Sequence, residues 1–215
     1  MINVCIPTLN SYNTLVDCVK SINNSTLKVD CIYILDNGGR LDINSFERSD
    51  NIRLFKQERN LGVAASWNWF SDNVSELRII SNDDVVFHPD CIEEMVKSYR
   101  EDRLIFPMGT SNGNAFSCFT LPQNIVNAVG KFDEKISPRY AYFEDNDYHR
   151  RMVLKGFDIA PCNGIIMHSG SSTMKHYDSN TLKRHHEKFK LAELNYIKKW
   201  GGKPGHETFA EPVEL

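Results

Sequence analysis

Ile79-Ile80-Ser81-Asn82-Asp83-Asp84-Val85-Val86-Phe87 runs an apolar strand straight into two adjacent carboxylates and then resumes as an apolar run. Two ionised carboxylates side by side repel each other unless a cation lies between them and a ligand, and carboxylate oxygens are what Mg²⁺ or Mn²⁺ select. The stretch reads as a buried strand that ends in a metal-and-phosphate ledge. Asn and Asp also suit an ordinary turn, because they hydrogen-bond their own backbone. Downstream, Phe143-Glu144-Asp145-Asn146-Asp147 is a second acidic cluster opening a helical pattern, where carboxylates equally serve to complement the helix dipole. One cluster to hold a metal and one to take a proton are the minimum for a metal-assisted transferase.

Outward from the ledge, strands and helices alternate. Ile2 to Ile6, Cys31 to Leu35, Ile52 to Phe55 and Leu77 to Ser81 read as strands, separated by helical patterns over Leu15 to Ile22 and Val63 to Phe70. That alternation predicts an α/β fold with a mostly parallel sheet flanked by helices, and in such sheets ligands bind at the carboxyl ends of the strands. Asp36 and the Asp83-Asp84 pair both fall at such ends. Beyond the ledge the pattern predicts a helix opened by Pro89-Asp90, short strands over Leu104 to Phe106 and Ala115 to Leu121, and a short helix over Pro122 to Val129 stopped by Gly130. A helix over Asp145 to Lys155 and a long one over Thr181 to Trp200 follow, the latter stopped by Gly201-Gly202. The expectation is one domain over 1–203, with a nucleotide-binding half over 1–100 and an acceptor and catalytic half over 101–203. The tail over 204–215 is expected to lie loosely on the surface.

Bulk properties fit a soluble protein: 215 residues, 41% hydrophobic, 25% charged, with a formal net charge of -3. The charge provides no global attraction to nucleic acid or anionic membrane. The apolar runs are strand-sized, too short for a transmembrane segment, and the chain enters a strand at once without a signal-peptide pattern. The six cysteines carry no Cys-x-x-Cys pair. They read as reduced, mostly buried thiols of a cytoplasmic protein. The basic run from Lys183 to Lys203 reads as a solvated helix face.

A series of short motifs follows this order of elements. Ile6-Pro7-Thr8-Leu9-Asn10 comes after the first strand, Leu35-Asp36-Asn37-Gly38-Gly39 after the second, and Arg59-Asn60-Leu61-Gly62-Val63-Ala64 before a helix with Asn68. Asn82-Asp83-Asp84-Val85, Gly130-Lys131-Phe132-Asp133-Glu134, Tyr142 to Tyr148, and His168-Ser169-Gly170 with Ser172 complete it. In this order and spacing the series resembles the family 2 glycosyltransferases with the GT-A fold, over nearly the whole chain.

The resemblance implies an inverting transfer of a sugar from a nucleotide-diphosphate sugar donor to an acceptor hydroxyl, with Mn²⁺ or Mg²⁺. It implies donor-binding roles for Thr8, Asn10, Asp36, Asn60, Gly62, Asn82 and Asp83, with Asp36 accepting from the nucleobase. Asp84 and His168 match metal ligands, Asp145 matches the carboxylate that deprotonates the acceptor, and Glu144 would orient it. Asp147 would hold acceptor hydroxyls. Two positions depart from the family pattern: Leu9 stands where an aromatic often stacks on the base, with Tyr12 a possible substitute, and Asn82 replaces the first acid of Asp-x-Asp. The acceptor is left open among glycan, lipid-linked glycan, protein and modified nucleic acid. Competing readings are a noncatalytic nucleotide-sugar or carbohydrate-binding module, and a sugar nucleotidyltransferase. The latter usually opens with a glycine-rich basic loop, and Ile6 to Asn13 contains neither glycine nor lysine. Trp67 and Trp69 read as core residues in preference to sugar platforms.

Overall fold

The computed structural model describes residues 1–109, 115–168 and 178–215. Its first half is a twisted parallel sheet. β1 (Ile2–Thr8), β2 (Cys31–Asp36), β3 (Ile52–Lys56) and β4 (Leu77–Ser81) lie in the order β3-β2-β1-β4, connected through α1 (Tyr12–Asn23) and α2 (Val63–Asn73). The order reverses at β1, so the crevice beyond the carboxyl ends of β1 and β4 is the natural place for a ligand. Successive strand residues face opposite sides, and both sides are covered. On one side Val4, Ile6, Ile32, Ile34 and Ile79 meet Leu15, Val19 and Ile22 of α1. On the other, Cys5, Leu35 and Ile80 meet Ala64, Trp67 and Phe70 of α2. These side chains are nearly all shielded from solvent, and each fully buried branched or aromatic one stabilises the fold by about 1.5–3 kcal/mol.

The second half closes the sheet and builds a smaller one. β5 (Val85–Phe87), α3 (Cys91–Ser98), β6 (Arg103–Gly109), β7 (Cys118–Thr120), α4 (Gln123–Val129), α5 (Glu144–Leu154), β8 (Asp158–His168) and α6 (Ser179–Trp200) follow in order. β7 adds antiparallel to β4, and a three-stranded sheet forms in the order β5-β8-β6. β8 pairs parallel to β6 and antiparallel to β5, with a register shift after Pro107. The bulged stretch contains Gly164, where a Cβ would meet the Cys91 carbonyl oxygen at 2.9 Å, so only glycine lets β8 pass the start of α3.

Several expectations change. Only Cys118–Thr120 of the expected strand over 115–121 is extended, because β4 offers only Ile79–Ser81 as partners; Ala115–Ser117 coils into a 3₁₀ turn. The tail is not loose. The N–H groups of Thr208 and Phe209 both donate to the Trp200 carbonyl at 3.1 Å, and that of Val213 donates to Lys199 at 2.9 Å. Gly201, at φ 75°, makes this reversal after α6 possible. Trp67 is buried against Phe116, Phe119 and Phe132, and Trp69 packs on Phe55 and Phe70. All six cysteines are free thiols, five of them buried. Among the described residues no helix is long and apolar enough to cross a membrane.

Candidate active site

β1 ends at Thr8 and β4 at Ser81, and the turn from β4 into β5 places Asn82, Asp83 and Asp84 along the floor of a cleft of about 350 Å³. Two neighbouring carboxylates meet different surroundings there. Asp84 is buried, and its Oδ1 lies 3.0 Å from Nε2 of His168. The contact follows from register: His168, the last residue of β8, sits opposite Val85. Ser117 Oγ lies 3.3 Å from His168 Nδ1 and steadies the ring from behind. Asp83 instead turns its Oδ2 to the Thr8 hydroxyl, which donates at 2.7 Å. Burial pushes the Asp83 carboxyl up to about 7; the charge of Asp84 adds to this, while the Thr8 bond opposes it.

The donor set is tested for a divalent cation by that 3.0 Å separation. Ligands about 2.0–2.1 Å from a six-coordinate Mg²⁺ or a metal of similar size are about 3 Å apart when adjacent. Asp84 and His168 therefore fit two neighbouring positions. Among the described residues no group of three His, Cys, Asp or Glu side chains gathers to hold a metal alone. The remaining positions would fall to substrate oxygens or water, as Mg²⁺-type sites commonly arrange.

Asn60 and Gly62 line the cleft wall at the start of α2. Asn60 Oδ1 accepts from the Gly62 N–H at 2.9 Å, and its Nδ2 donates to the Arg139 carbonyl at 3.0 Å. Gly62 has φ 87°, and a Cβ there would sit 2.7 Å from the Arg139 and Tyr140 backbone. Its close approach is to the segment before α5, which joins the two halves, and not only to a ligand.

Asp36 is placed differently from the expectation of an open base contact. It is fully buried; Oδ1 accepts from the Tyr12 hydroxyl and the Gly38 N–H, each at 2.9 Å, and Oδ2 from the Leu41 N–H at 2.8 Å. Tyr12 thereby caps Asp36, and a nucleobase would have to displace it. Asn10, at φ 64°, lies outside the cleft lining, and its Oδ1 accepts from Arg40 at 2.6 Å.

Tyr142 and Phe143, at φ 97° and 68°, carry the chain into α5 through left-handed backbone. Such conformations cost of order 1–3 kcal/mol each. Glu144 is buried, and among the described residues its Oε2 has no hydrogen-bond partner. Burial first, and then the charge of Asp145, push its carboxyl up to about 8. Asp145 is half-buried, with Oδ1 accepting the Asn146 N–H at 2.8 Å. Among the described residues the lining on this side ends at Tyr142.

Asp147 corrects the expectation of an acceptor contact. It is fully buried, with Oδ1 on Lys199 at 2.7 Å and Trp200 Nε1 at 2.9 Å, and Oδ2 on Arg151 at 2.8 Å. With its oxygens occupied it locks α5 to α6. Ser169, Gly170 and Ser172 lie outside the described residues.

Tyr140, Tyr142, His185 and Lys188 also line the cleft and were not anticipated. His185 and Lys188 belong to the run read as a solvated helix face; no local pattern reveals that α6 crosses the cleft mouth.

A family model described as "Glycosyl transferase family 2" matches residues 3–166. No curated protein sequence matches the chain. Among solved structures, the fold is similar to a mannosyltransferase, PcManGT from Pyrobaculum calidifontis, in complex with GDP-Man and Mn²⁺: TM-score 0.67, 12% identity, covering 95% of this chain and 66% of that one. It is also similar to GalNAc-T7 with UDP, GalNAc and Mn²⁺: TM-score 0.66, 10% identity, covering 94% of this chain and 49% of that one. At these identities the likeness is one of fold.

Proposed function

The chain belongs to glycosyl transferase family 2, and we propose that it transfers a sugar from a nucleotide-diphosphate sugar to an acceptor hydroxyl with inversion. The observation that carries this reading is the pairing of Asp84 with His168 at the carboxyl end of β4, in a cleft at the reversal point of the sheet. Asp84 and His168 would hold Mn²⁺, which supplies Lewis-acid charge toward the departing diphosphate. Thr8, Asn60, Asn82 and Asp83 face the donor. Asp36, Asn10 and Gly62 shape the loops around it, and Asp36 meets the base once Tyr12 moves aside.

A sugar hydroxyl is far too weak an acid to attack unaided, so a positioned carboxylate takes its proton as the new bond forms. Asp145 has that role. Glu144, protonated at neutral pH through its burial beside Asp145, holds a neutral carboxyl next to the base. The acceptor oxygen bonds to the anomeric carbon as the bond to the diphosphate breaks, and no side chain forms a covalent intermediate.

The test is a thermal-shift screen of nucleoside diphosphates and their sugars with and without Mn²⁺, followed by transfer from a radiolabelled donor. A ligand specific to the folded state at a hundred times its Kd stabilises by about 2.7 kcal/mol. We expect a Mn²⁺-dependent shift that Asp84→Asn abolishes without loss of fold. An unchanged shift in that mutant would defeat the metal assignment. Donor binding without any transfer across an acceptor panel would favour a binding module.

A further inference from the structure

α6 is anchored by its C-terminal half, where Ala192, Tyr196, Lys199 and Trp200 are buried. Its N-terminal half runs on to the cleft, held against the left-handed segment before α5. The Tyr142 hydroxyl and His185 Nε2 are 2.8 Å apart, and the Phe189 ring packs on Tyr142 and Phe143 at 4.9 and 5.3 Å. One helical turn after His185, Lys188 is half-buried, with Nζ 5.1 Å from the centre of the Tyr140 ring. It faces a cleft whose floor carries Asp83 and Asp84.

Lys188 differs from the other lysines on this helix. Lys199 is bound to Asp133 and Asp147. Lys183 and Lys190 are exposed and line a separate surface groove. Among the described residues, Lys188 is in no ion pair within 4.0 Å and is the one lysine or arginine lining the cleft. A cleft with two carboxylates on its floor gains nothing from an anion unless positive charge is supplied, and a protein cation on the opposite wall supplies it independently of any bound ion.

We propose that Lys188 is a further catalytic residue, whose ammonium group contacts the phosphates of the leaving nucleoside diphosphate. This rests on the transferase reading above. As the anomeric C–O bond breaks, its electron pair goes to the phosphate oxygen, the acceptor oxygen forms the new bond, and the acceptor proton goes to the carboxylate base. Lys188 keeps its proton throughout. It stabilises charge that is greater in the transition state than in the bound donor, so its removal lowers kcat as well as product affinity. The Tyr140 ring holds the ammonium group at the mouth, and the Tyr142–His185 contact fixes the turn of α6 that precedes it.

The test compares Lys188→Met, which keeps the apolar stem, with Lys188→Arg and the unmodified chain. Calorimetry with UDP, GDP, CDP, ADP and dTDP and their matching monophosphates in the presence of Mn²⁺ is followed by transfer kinetics. Lys188→Met is expected to weaken the diphosphate that the protein binds by roughly tenfold to a hundredfold, the range of a lost charge-assisted hydrogen bond, with a smaller effect on the matching monophosphate. It should lower kcat by a similar factor, and Lys188→Arg should recover most of both. Equal affinity of Lys188→Met and the unmodified chain for the diphosphate overturns the role of Lys188 alone, as does a parallel loss for di- and monophosphate. Failure of the unmodified chain to bind any nucleoside diphosphate overturns the transferase reading itself.

Discussion

Asp145 is half-buried at the opening of α5, and its Oδ1 already accepts the Asn146 N–H. That geometry suits a capping carboxylate as well as a base, so the two roles separate only by function. Asp145→Asn keeps the shape and the acceptor oxygen for the cap but removes the proton acceptor. Transfer should fall by roughly a hundredfold or more, the range for lost general-base catalysis, with Mn²⁺-dependent donor binding retained. A mutant with a lowered melting temperature and near-normal turnover would make Asp145 structural. Asp83 and Asp84 carry the same lesson, since identical neighbours face Thr8 and His168 respectively. The strand-end turn separates them, and their chemistry follows from what each faces.

At the scale of the element, α5 begins at a cost. Two left-handed residues lead into it, and a buried carboxyl follows whose folded value is about 8, against an ordinary 4.5. A carboxyl raised on folding binds its proton more tightly in the native state. Its contribution is therefore fully present below about 4.5 and is lost as the pH rises toward about 8. Glu144→Gln replaces the acid by a neutral group of the same shape and removes this slope. Relative to the unmodified chain, the mutant should gain stability between pH 5 and pH 8, on the order of 1 kcal/mol or more, which is about 2–4 °C in Tm for a chain of this size. Parallel Tm profiles of the two proteins across that range would show that Glu144 is not held protonated. α6 is the second element whose meaning comes from its surroundings: one part of it is packed into the core, and an earlier turn brings His185 and Lys188 to the cleft.

Across the whole molecule, the second half is held together by buried polar contacts as well as by apolar packing. Asp147 gathers Arg151, Lys199 and Trp200, and Lys199 also reaches Asp133 at 2.6 Å. Asp147→Ala leaves buried Lys199 and the Arg151 guanidinium without their shared partner, and breaking such a pair typically costs about 3–5 kcal/mol. Against a typical stability of about 5–15 kcal/mol, denaturant unfolding should show a large loss. A change below about 1 kcal/mol would mean that α6 is held by its apolar face alone. The strand and helix order through β4, the ledge at Asn82-Asp83-Asp84 and the glycine stops at Gly130 and Gly201 were legible in the sequence, because hydrophobic period and turn chemistry are local properties. Local pattern did not reveal that β8 would run through Pro161 and Gly164, nor that the tail would fold back on α6. The sequence alone determined the alternating α/β frame and which carboxylates stand at its strand ends. Tertiary structure decided that Asp84 meets His168, that Asp147 is sealed beneath α6, and that Lys188 faces the cleft. Those outcomes depend on contacts between residues far apart in the chain, and which charges end up paired, buried or facing a cleft is set only when the elements pack.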